Sequence, residues 1–415
     1  MNAPVHILGA GLAGLSAAVG LTAAGRSVIV YEAAGHAGGR CRSYHDDVLG
    51  RTIDNGNHLV LSGNRAVIGY LETIGSRQTV KIAAPAAFPF YDLNSGERWT
   101  VAPDKGRLPW SWLSAARRVP GASLGDYLRT LRLVRAADDQ AIRQVLPVSG
   151  ALWDRFWAPV IVAVTNTDPA EAAAGPMARV VHETLACGEA ACRPVFFPDG
   201  LGESLVAPAL EFIKSRGGQV RFNTRVREII RSEDTVVGLK FSDGSEVTTT
   251  DGAVVSCLPA HIAADLFDDI QAPDAFSSIV NGHFVLPKVP DGEAFLGLIN
   301  GTAEWLFRRG DMVSVTISAA ESCTDLSSED IAAAMWTDIV RAYGLGDLPL
   351  GPYRILKEKR ATFLQTPAQM RRRPPCQTSW RNLFLAGDWT DTGLPATIEG
   401  TIRSGNLAVL SVLDF

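Results

Sequence analysis

The chain contains 415 residues, of which 47% are hydrophobic and 20% are charged, and its formal net charge is -5. This length and composition are typical of a globular protein with two or three domains, and they exclude disordered, collagen-like and disulfide-scaffold classes. The acidic balance offers no electrostatic surface to nucleic acid, so we expect no nucleic-acid partner.

Cysteine usage and hydropathy indicate the cellular compartment of the protein. The six cysteines include no C-x-x-C pair and no ligand-spaced set with histidine, so we expect reduced, cytosolic thiols and no metal site. The apolar stretch 5–24 is interrupted by glycines and lacks a basic start, which favours a folded element over a signal peptide. Because no uninterrupted apolar run reaches about 18 residues, we expect a cytoplasmic protein whose contact with the inner leaflet of the membrane is peripheral.

The first elements in chain order form a βαβ unit. A strand over 5–8 leads into a glycine-rich turn and a helix of small residues, and a second strand covers 27–31. The turn contains Gly9, Gly11 and Gly14 at the spacing of dinucleotide-binding folds. The first glycine permits a tight turn, the second lets the backbone approach a pyrophosphate, and the third packs the helix on the strand. The unit therefore predicts a dinucleotide site.

The residues beside this turn indicate which nucleotide is bound. Leu12 and Ala13 open the helix, whose N-terminus would face phosphate. Glu32 and Ala33 follow the second strand, and the Glu32 carboxylate can accept hydrogen bonds from a ribose diol while its charge repels a 2′-phosphate. We therefore expect an unphosphorylated adenosine ribose.

The next motif, formed by Gly38, Gly39, Arg40 and Arg42, is an extension that nicotinamide enzymes do not need. It resembles the amine oxidase and phytoene desaturase superfamily of FAD enzymes, in which the Gly-Gly-Arg segment lies along the FAD pyrophosphate. The resemblance implies FAD as the cofactor, and we expect it to be held non-covalently because no cysteine or histidine lies in a recognisable flavinylation context. A surface loop with a solvated arginine is the alternative.

Segments near the end of the chain extend this resemblance. An arginine run at 371–373 is typical of a solvated loop. A predicted buried strand over 382–386 then runs into Gly387 and Asp388, and the superfamily places this aspartate on the ribityl chain of the flavin. The next segment resembles the one whose backbone N–H groups approach the pyrimidine side of the flavin at a helix start, and it comprises Ala396, Thr397 and Ile398.

Pieces of an FAD-binding domain thus recur at the start, the middle and the end of the chain. The middle piece is a β-meander that opens at Val226, whose backbone the resemblance places on the adenine. We expect an α/β fold in which a Rossmann-type, glutathione-reductase-like domain of the two-dinucleotide-binding kind carries a discontinuous α+β substrate domain. The expected FAD-binding parts are 1–65, 196–261 and 379–415, and the expected substrate parts are 66–195 and 262–378.

Longer stretches narrow the resemblance to one family. The stretches Asp-Asn-Gly-Asn-His at 54–58, Thr-Asn-Thr at 165–167 and the run 386–400 resemble the hydroxysqualene dehydroxylases, the squalene-associated FAD-dependent desaturases of bacterial hopanoid synthesis. The resemblance implies reductive removal of a hydroxyl from hydroxysqualene, a long apolar isoprenoid, and association with other squalene-synthesis enzymes. Protonating the allylic hydroxyl and losing water would leave a delocalised cation, which hydride from reduced FAD would quench.

The proton donor for this reaction has two candidates. The resemblance places Gly56, Asn57 and His58 beside the flavin, and histidine donates protons near neutral pH, so His58 is the first candidate. A structural histidine is the alternative. Asp391 is the second candidate, because an acid desolvated near a flavin can have a raised pKa. Its alternative is a turn or helix-capping role.

Aromatic side chains are candidates for the wall of a dry channel that solvates the substrate. Ordinary core packing is the alternative for each of them. The candidates are Phe88, Phe90, Tyr91, Trp99, Trp110, Trp112, Trp153, Phe156 and Trp157.

Three rival functions remain open from sequence. A phytoene-desaturase-like enzyme would run the opposite redox direction on the same fold. An amine oxidase is disfavoured because Leu-Pro-Ala-Thr at 394–397 stands where such enzymes tend to have an aromatic cage. A non-enzymatic FAD-binding scaffold in a terpenoid assembly is the third rival.

The segment 105–135 combines apolar and basic residues. It holds seven Lys or Arg residues and one acid, Asp126, so its local net charge is +6. Its apolar residues include Trp110 and Trp112, and the later ones recur at spacings of three and four. This basic amphipathic segment predicts peripheral contact with anionic lipid, although a core-packed helix with a solvated basic face is the alternative.

Overall fold

The computed structural model describes residues 3–249 and 251–415 of the chain. Within these ranges the strands are β1 (Val5–Leu8), β2 (Val28–Tyr31), β3 (Ser43–Asp46), β4 (Arg51–Asp54), β5 (Val60–Leu61), β6 (Lys81–Ile82), β7 (Phe88–Asp92), β8 (Arg98–Val101), β9 (Pro194–Phe196), β10 (Gln219–Arg221), β11 (Val226–Ser232), β12 (Thr235–Phe241), β13 (Glu246–Thr248), β14 (Val254–Ser256), β15 (Phe276–Val285), β16 (Phe295–Ile299), β17 (Trp305–Arg309), β18 (Met312–Ile317), β19 (Tyr353–Phe363) and β20 (Leu383–Leu385). The α-helices are α1 (Leu12–Ala23), α2 (Arg65–Thr73), α3 (Leu124–Thr130), α4 (Ile142–Val145), α5 (Ala158–Thr165), α6 (Ala174–Glu183), α7 (Ala207–Ser215), α8 (Ala260–Leu266), α9 (Ser328–Tyr343), α10 (Pro367–Met370) and α11 (Ile398–Asp414).

A five-stranded parallel sheet has the strand order β10-β2-β1-β14-β20. Strands β1, β14 and β20 are short and buried along their whole length, as expected for a parallel sheet covered on both faces. The sheet draws its strands from the ranges 5–31, 219–256 and 383–385, so it forms only when three distant parts of the chain meet. Because all pairings are parallel, the carboxyl ends of the strands lie along one edge.

Close packing of α1 against α11 covers one face of this sheet. Small residues make the approach possible: a Cβ atom on Gly20 would lie 2.7 Å from Val409, and one on Gly405 would lie 1.9 Å from the Ser16 hydroxyl oxygen. The helix of small residues predicted after the glycine-rich turn therefore has a packing reason. It brings the last helix of the chain against the first.

A second, seven-stranded mixed sheet has the order β19-β15-β18-β17-β16-β7-β8. Helix α9 covers one face through an aliphatic cluster, and aromatic residues crowd the other face together with α5 and α6. The parallel sheet and this mixed sheet together confirm the predicted fold class, an α/β dinucleotide-binding unit joined to an α+β substrate unit.

The antiparallel β11-β12-β13 meander is fastened to the parallel sheet by one buried amide. Asn382, just before β20, donates from Nδ2 to the carbonyl oxygens of Val236 and Gly252, each at 2.9 Å. Its Oδ1 accepts the Val236 N–H at 2.8 Å. The side chain thus satisfies three backbone groups, two on Val236 of β12 and one on Gly252.

We expect Asn382→Ala to lower the free energy of unfolding by about 1–3 kcal/mol, because buried backbone groups lose their partners. Denaturant unfolding followed by circular dichroism measures the change. The matched control is Asn94→Ala, whose residue is exposed and should change stability little. Equal stability of the two variants would contradict this role.

Candidate functional site

The glycine-rich turn lies at the carboxyl edge of the parallel sheet. Gly9 has a φ of +100°, which only glycine adopts readily, and its N–H donates to the Tyr31 carbonyl oxygen at 2.7 Å. The Gly-Gly-Arg segment packs directly on this turn, since the Gly38 N–H donates to the Ala10 carbonyl oxygen at 2.8 Å. Gly38 also forms a parallel bridge with Gly11, so the two predicted motifs meet at one place.

The glycines of the turn have different roles. A Cβ atom on Gly14 would lie 1.9 Å from the Gly9 carbonyl oxygen, so Gly14 serves packing. A Cβ atom on Gly11 would meet nothing within 4 Å, and this residue lies immediately before the N-terminus of α1. Leu12 and Ala13 open α1 and are buried. An open backbone at a helix N-terminus is the cradle that a pyrophosphate requires, so this part of the chain fits FAD.

Glu32 lies at the end of β2 beside this cradle. Its carboxylate accepts the N–H of Ala10 and the N–H of Ala34, both at 2.8 Å. Ala33, which lies between Glu32 and Ala34 in the sequence, is exposed. Glu32 therefore braces the glycine-rich turn, and its predicted contact with a ribose diol stays a prediction.

Arg40 and Asp388 form a two-point ion pair, with nitrogen to oxygen distances of 2.7 and 2.8 Å. The charge of Asp388 raises the pKa of Arg40, which also donates to the Ala361 carbonyl oxygen on β19. Of the Arg40 side chain, 42% is accessible. Gly39 packs against the glycine-rich turn, whereas Arg42 lies over the Tyr44 ring at 5.7 Å.

The segment 387–398 is the last one predicted to bind FAD and is called the last FAD segment below. Hydrogen bonds from several parts of the chain hold it in place. The Gly387 N–H donates to the Ser404 hydroxyl at 2.8 Å, and the Ala396 N–H donates to Gln365 Oε1 at 2.9 Å. Thr397 caps α11 by accepting the Gly400 N–H, and Ile398 is the first residue of that helix. The N-terminus of α11 is thereby fixed where the resemblance predicts the flavin. Val226 begins β11 opposite Phe241, away from these contacts.

The arginine run at 371–373 is only partly solvated, because Arg371 is exposed as predicted whereas Arg373 is buried. Its guanidinium donates to the carbonyl oxygens of Leu394, at 2.7 Å, and Thr390. Burial lowers its pKa to about 10. The turn after β20 points several carbonyl oxygens inward, and a planar guanidinium is the side chain that can satisfy them together.

The predicted catalytic residues fall into different environments. Asn57 donates from Nδ2 to the Val315 carbonyl oxygen and the Thr316 hydroxyl, both at 3.3 Å, which attaches it to the mixed sheet. Burial lowers the pKa of His58 to about 4, so its imidazole is neutral at pH 7 and poorly suited to donate a proton. Asp391 is exposed, and its carboxylate accepts the Gly393 N–H at 3.0 Å, which is the turn role. Gly56 packs against His58.

Gln365 is a buried residue outside every predicted motif. It connects the Thr-Asn-Thr stretch to the last FAD segment. Gln365 donates from Nε2 to the Thr165 carbonyl oxygen at 2.6 Å, and its N–H donates to the Thr167 hydroxyl at 2.9 Å. Its Oε1 is the acceptor for the Ala396 N–H. Asn166 meanwhile accepts the Ala319 N–H at 2.7 Å. Through Gln365 the Thr-Asn-Thr stretch holds the last FAD segment, which is predicted to face the flavin. No motif in the sequence pointed to Gln365.

The aromatic candidates divide between core and surface. Phe90 stacks on Trp99 with ring centroids 5.6 Å apart, and five of the candidates are buried in one cluster on the mixed sheet. Trp110 is 65% exposed, so its assignment to a channel wall is wrong. Trp112 contacts Tyr127 near the surface, with tilted rings whose centroids are 5.1 Å apart. The five buried members are Phe90, Trp99, Trp153, Phe156 and Trp157.

Comparison with known proteins identifies the family of this chain. The family model described as flavin containing amine oxidoreductase matches residues 12–413. The solved cyclohexylamine oxidase from Brevibacterium oxydans superposes with a TM-score of 0.72 over 100% of this chain and 99% of its own, at 14% identity. Proteins named hydroxysqualene dehydroxylase are 45% identical in Rhodopseudomonas palustris, over 100% of this chain and 99% of theirs, and 43% identical in Sinorhizobium fredii, over 97% of both.

The chain belongs to the flavin-containing amine oxidoreductase family and, within it, to the hydroxysqualene dehydroxylases. Its cofactor is FAD, as in that family. Among the described residues, no helix is both long and apolar enough to cross a membrane.

The contrast between two glycines provides a test of the cofactor cradle. Gly11→Val should abolish FAD binding while changing the melting temperature of the apoprotein little, because its side chain would enter the space next to the helix N-terminus. Flavin absorbance of the purified protein and thermal unfolding of the apoprotein measure the two effects. Gly14→Val is the matched variant and should unfold the protein, since its side chain collides with the Gly9 carbonyl. A Gly11→Val protein with a normal flavin spectrum would refute the assignment.

Proposed function

We propose that this chain reductively dehydroxylates hydroxysqualene to squalene, as its relatives in Rhodopseudomonas and Sinorhizobium are named for doing, and that it serves hopanoid synthesis. The main support for this proposal is the 43–45% identity to these relatives over nearly the whole chain. The open backbone at Gly11 and the Arg40–Asp388 ion pair, which fit FAD, add to it. When bound, reduced FAD supplies the hydride for such a reaction.

The residues of the chain have separable tasks in this reaction. The backbone around Gly11 and Gly38 would hold the pyrophosphate, and Asp388, which Arg40 fixes, would bind the ribityl chain. Gln365 fixes the Ala396 backbone. The aromatic cluster on the mixed sheet keeps water from the reacting carbon and provides apolar surface for a thirty-carbon substrate.

Adding hydroxysqualene to anaerobic, photoreduced enzyme should restore the oxidised flavin spectrum and yield squalene in equal amount. Squalene is the matched control ligand and should leave the flavin reduced. Flavin absorbance and product extraction measure both. Flavin that stays reduced with hydroxysqualene, or a peroxide-forming reaction of oxidised enzyme with amines, would contradict the proposed function.

We further propose that the enzyme takes its substrate from the cytoplasmic leaflet of a membrane, through a docking surface in the segment 105–135. This segment is not one amphipathic helix, since it consists of short 3₁₀ turns and α3. Leu133 is buried, but Leu108, Trp110 and Leu113 are 61–65% exposed. Side chains of this docking surface that remain exposed are Leu108, Trp110, Leu113, Leu128 and Leu131.

The charges around the docking surface favour anionic lipid. An open cleft beside it is lined in part by Leu131, Arg132 and Arg135. Two arginines of the segment already pair with acids, Arg117 with Asp104 and Arg129 with Asp126, yet the segment as a whole carries a net charge of +6 in an acidic chain. Apolar side chains flanked by arginine are typical of proteins that lie at a bilayer interface.

Trp110→Ser combined with Leu113→Ser should reduce co-sedimentation with anionic liposomes by tenfold or more, because burying each such side chain stabilises binding by about 1.5–3 kcal/mol. Leu410→Ser with Leu413→Ser is the matched control, since these leucines are exposed on α11, outside the docking surface. Higher salt should weaken wild-type binding. Equal sedimentation of both double variants would place membrane contact elsewhere.

A further inference from the structure

An open cleft of about 560 Å³ lies beside the docking surface, between the turn that follows α3 and the start of α4. Its polar lining consists of Arg132, Arg135, Gln140 and Gln144, and no acidic side chain lines it among the residues that the structure describes. The apolar part of the lining continues the docking surface, since Leu131 belongs to both. The cleft therefore combines positive charge with an apolar rim.

The two arginines stand on one side of a fixed turn. Arg132 and Arg135 are three residues apart, and the Arg135 N–H donates to the Arg132 carbonyl oxygen at 3.1 Å, which makes a 3₁₀ turn. Side chains at positions i and i+3 of such a turn lie above one another, so both guanidinium groups reach the cleft. The turn is anchored because Leu133 is buried in the aromatic cluster and His182 Nε2 lies 2.8 Å from the Val134 carbonyl oxygen.

These two arginines differ from the other arginines nearby. Arg117, Arg129 and Arg143 each pair with an acid. Within residues 3–249 and 251–415, neither Arg132 nor Arg135 forms an ion pair or a side-chain hydrogen bond with the protein. Two positive charges that share one side of a turn without a counter-charge favour the binding of an anion.

The two glutamines of the cleft also have donors to offer. Gln140 Oε1 accepts the Ala137 N–H at 2.9 Å, and Gln144 Oε1 accepts the Ala141 N–H at 2.8 Å. Because each amide oxygen already binds the backbone, the Nε2 groups are the atoms left for a ligand, and an amide nitrogen donates only. All four polar side chains of the cleft therefore present hydrogen-bond donors.

We propose that the cleft binds the phosphate group of an anionic phospholipid, an inference that rests on the docking surface of the proposed function. A guanidinium group donates from a planar fork, which suits the oxygens of a phosphate, and the amide Nε2 groups provide neutral donors for the remaining oxygens. Lipid is the source of this phosphate, rather than the free ion, because Leu131 at the cleft and Leu128 one turn before it are exposed. Both leucines would enter the bilayer beside the headgroup.

Short-chain phosphatidylglycerol, below its micelle concentration, should bind the wild-type holoenzyme at one saturable site, which the phosphorus NMR signal of the lipid measures. Arg132→Gln with Arg135→Gln should weaken this binding by about tenfold or more, because two charge-assisted contacts are lost. Arg117→Gln with Arg129→Gln is the matched control. It removes the same charge from the same segment, but its arginines pair with acids outside the cleft lining, so binding should change little. Flavin absorbance and melting temperature check that both variants fold.

Two outcomes would overturn the inference. Equal weakening in the two double variants would mean that the lipid responds to net charge and not to the cleft. Inorganic phosphate that binds the wild-type enzyme as tightly as the short-chain lipid would mean that the cleft recognises a free ion and not a headgroup.

Sedimentation with phosphatidylglycerol vesicles separates the cleft from the docking surface. Wild-type protein that binds the short-chain lipid but does not sediment would support the cleft and contradict the docking surface. Protein that sediments without saturable binding of the short-chain lipid would overturn the cleft and support the docking surface. Neither measurement involves turnover of hydroxysqualene, so the dehydroxylation is tested separately.

Discussion

The ion pair between Arg40 and Asp388 is the contact on which the arrangement of the site depends. It joins residues 348 positions apart, one beside the glycine-rich turn and one after the last strand of the parallel sheet. The same guanidinium donates to the Ala361 carbonyl oxygen on β19. A single side chain therefore joins the segments that follow β2 and β20 to the mixed sheet. Arginine suits this position because its donors are fixed in a planar fork, which a lysine ammonium cannot reproduce.

Side-chain amides also join the mixed sheet to the segments around the cofactor cradle. Asn57 attaches the segment after β4 to the mixed sheet, and Gln365 attaches the end of β19 to the Ala396 backbone. Gln365 both donates and accepts, and Asn57 donates to two groups of β18, so each amide joins two segments of the chain. The backbone predicted to face the flavin is therefore held from the mixed sheet as well as from its own sheet, and such fixed positioning is what a transfer reaction requires.

Desolvation shifts the pKa values of buried bases and buried acids in opposite directions. Burial makes His58 a neutral imidazole, because the charged form of a base is disfavoured. The same burial favours the neutral form of Glu304, because the charged form of an acid is disfavoured. Residue type alone favours histidine as a proton donor near neutral pH, but burial leaves the His58 imidazole without the extra proton in this structure.

The sequence by itself determined the dinucleotide cradle, the FAD family and the alternation of strands and helices, because glycine spacing and hydropathy are local properties that hold in any context. It also indicated Arg40 and Asp388 separately, through short motifs. Only the tertiary structure decided that these two pair, that Arg373 is buried rather than solvated, and that Asp391 serves a turn. It also showed that Gln365 joins the Thr-Asn-Thr stretch to the Ala396 backbone, since this glutamine lies in no motif and its partners come from distant parts of the chain.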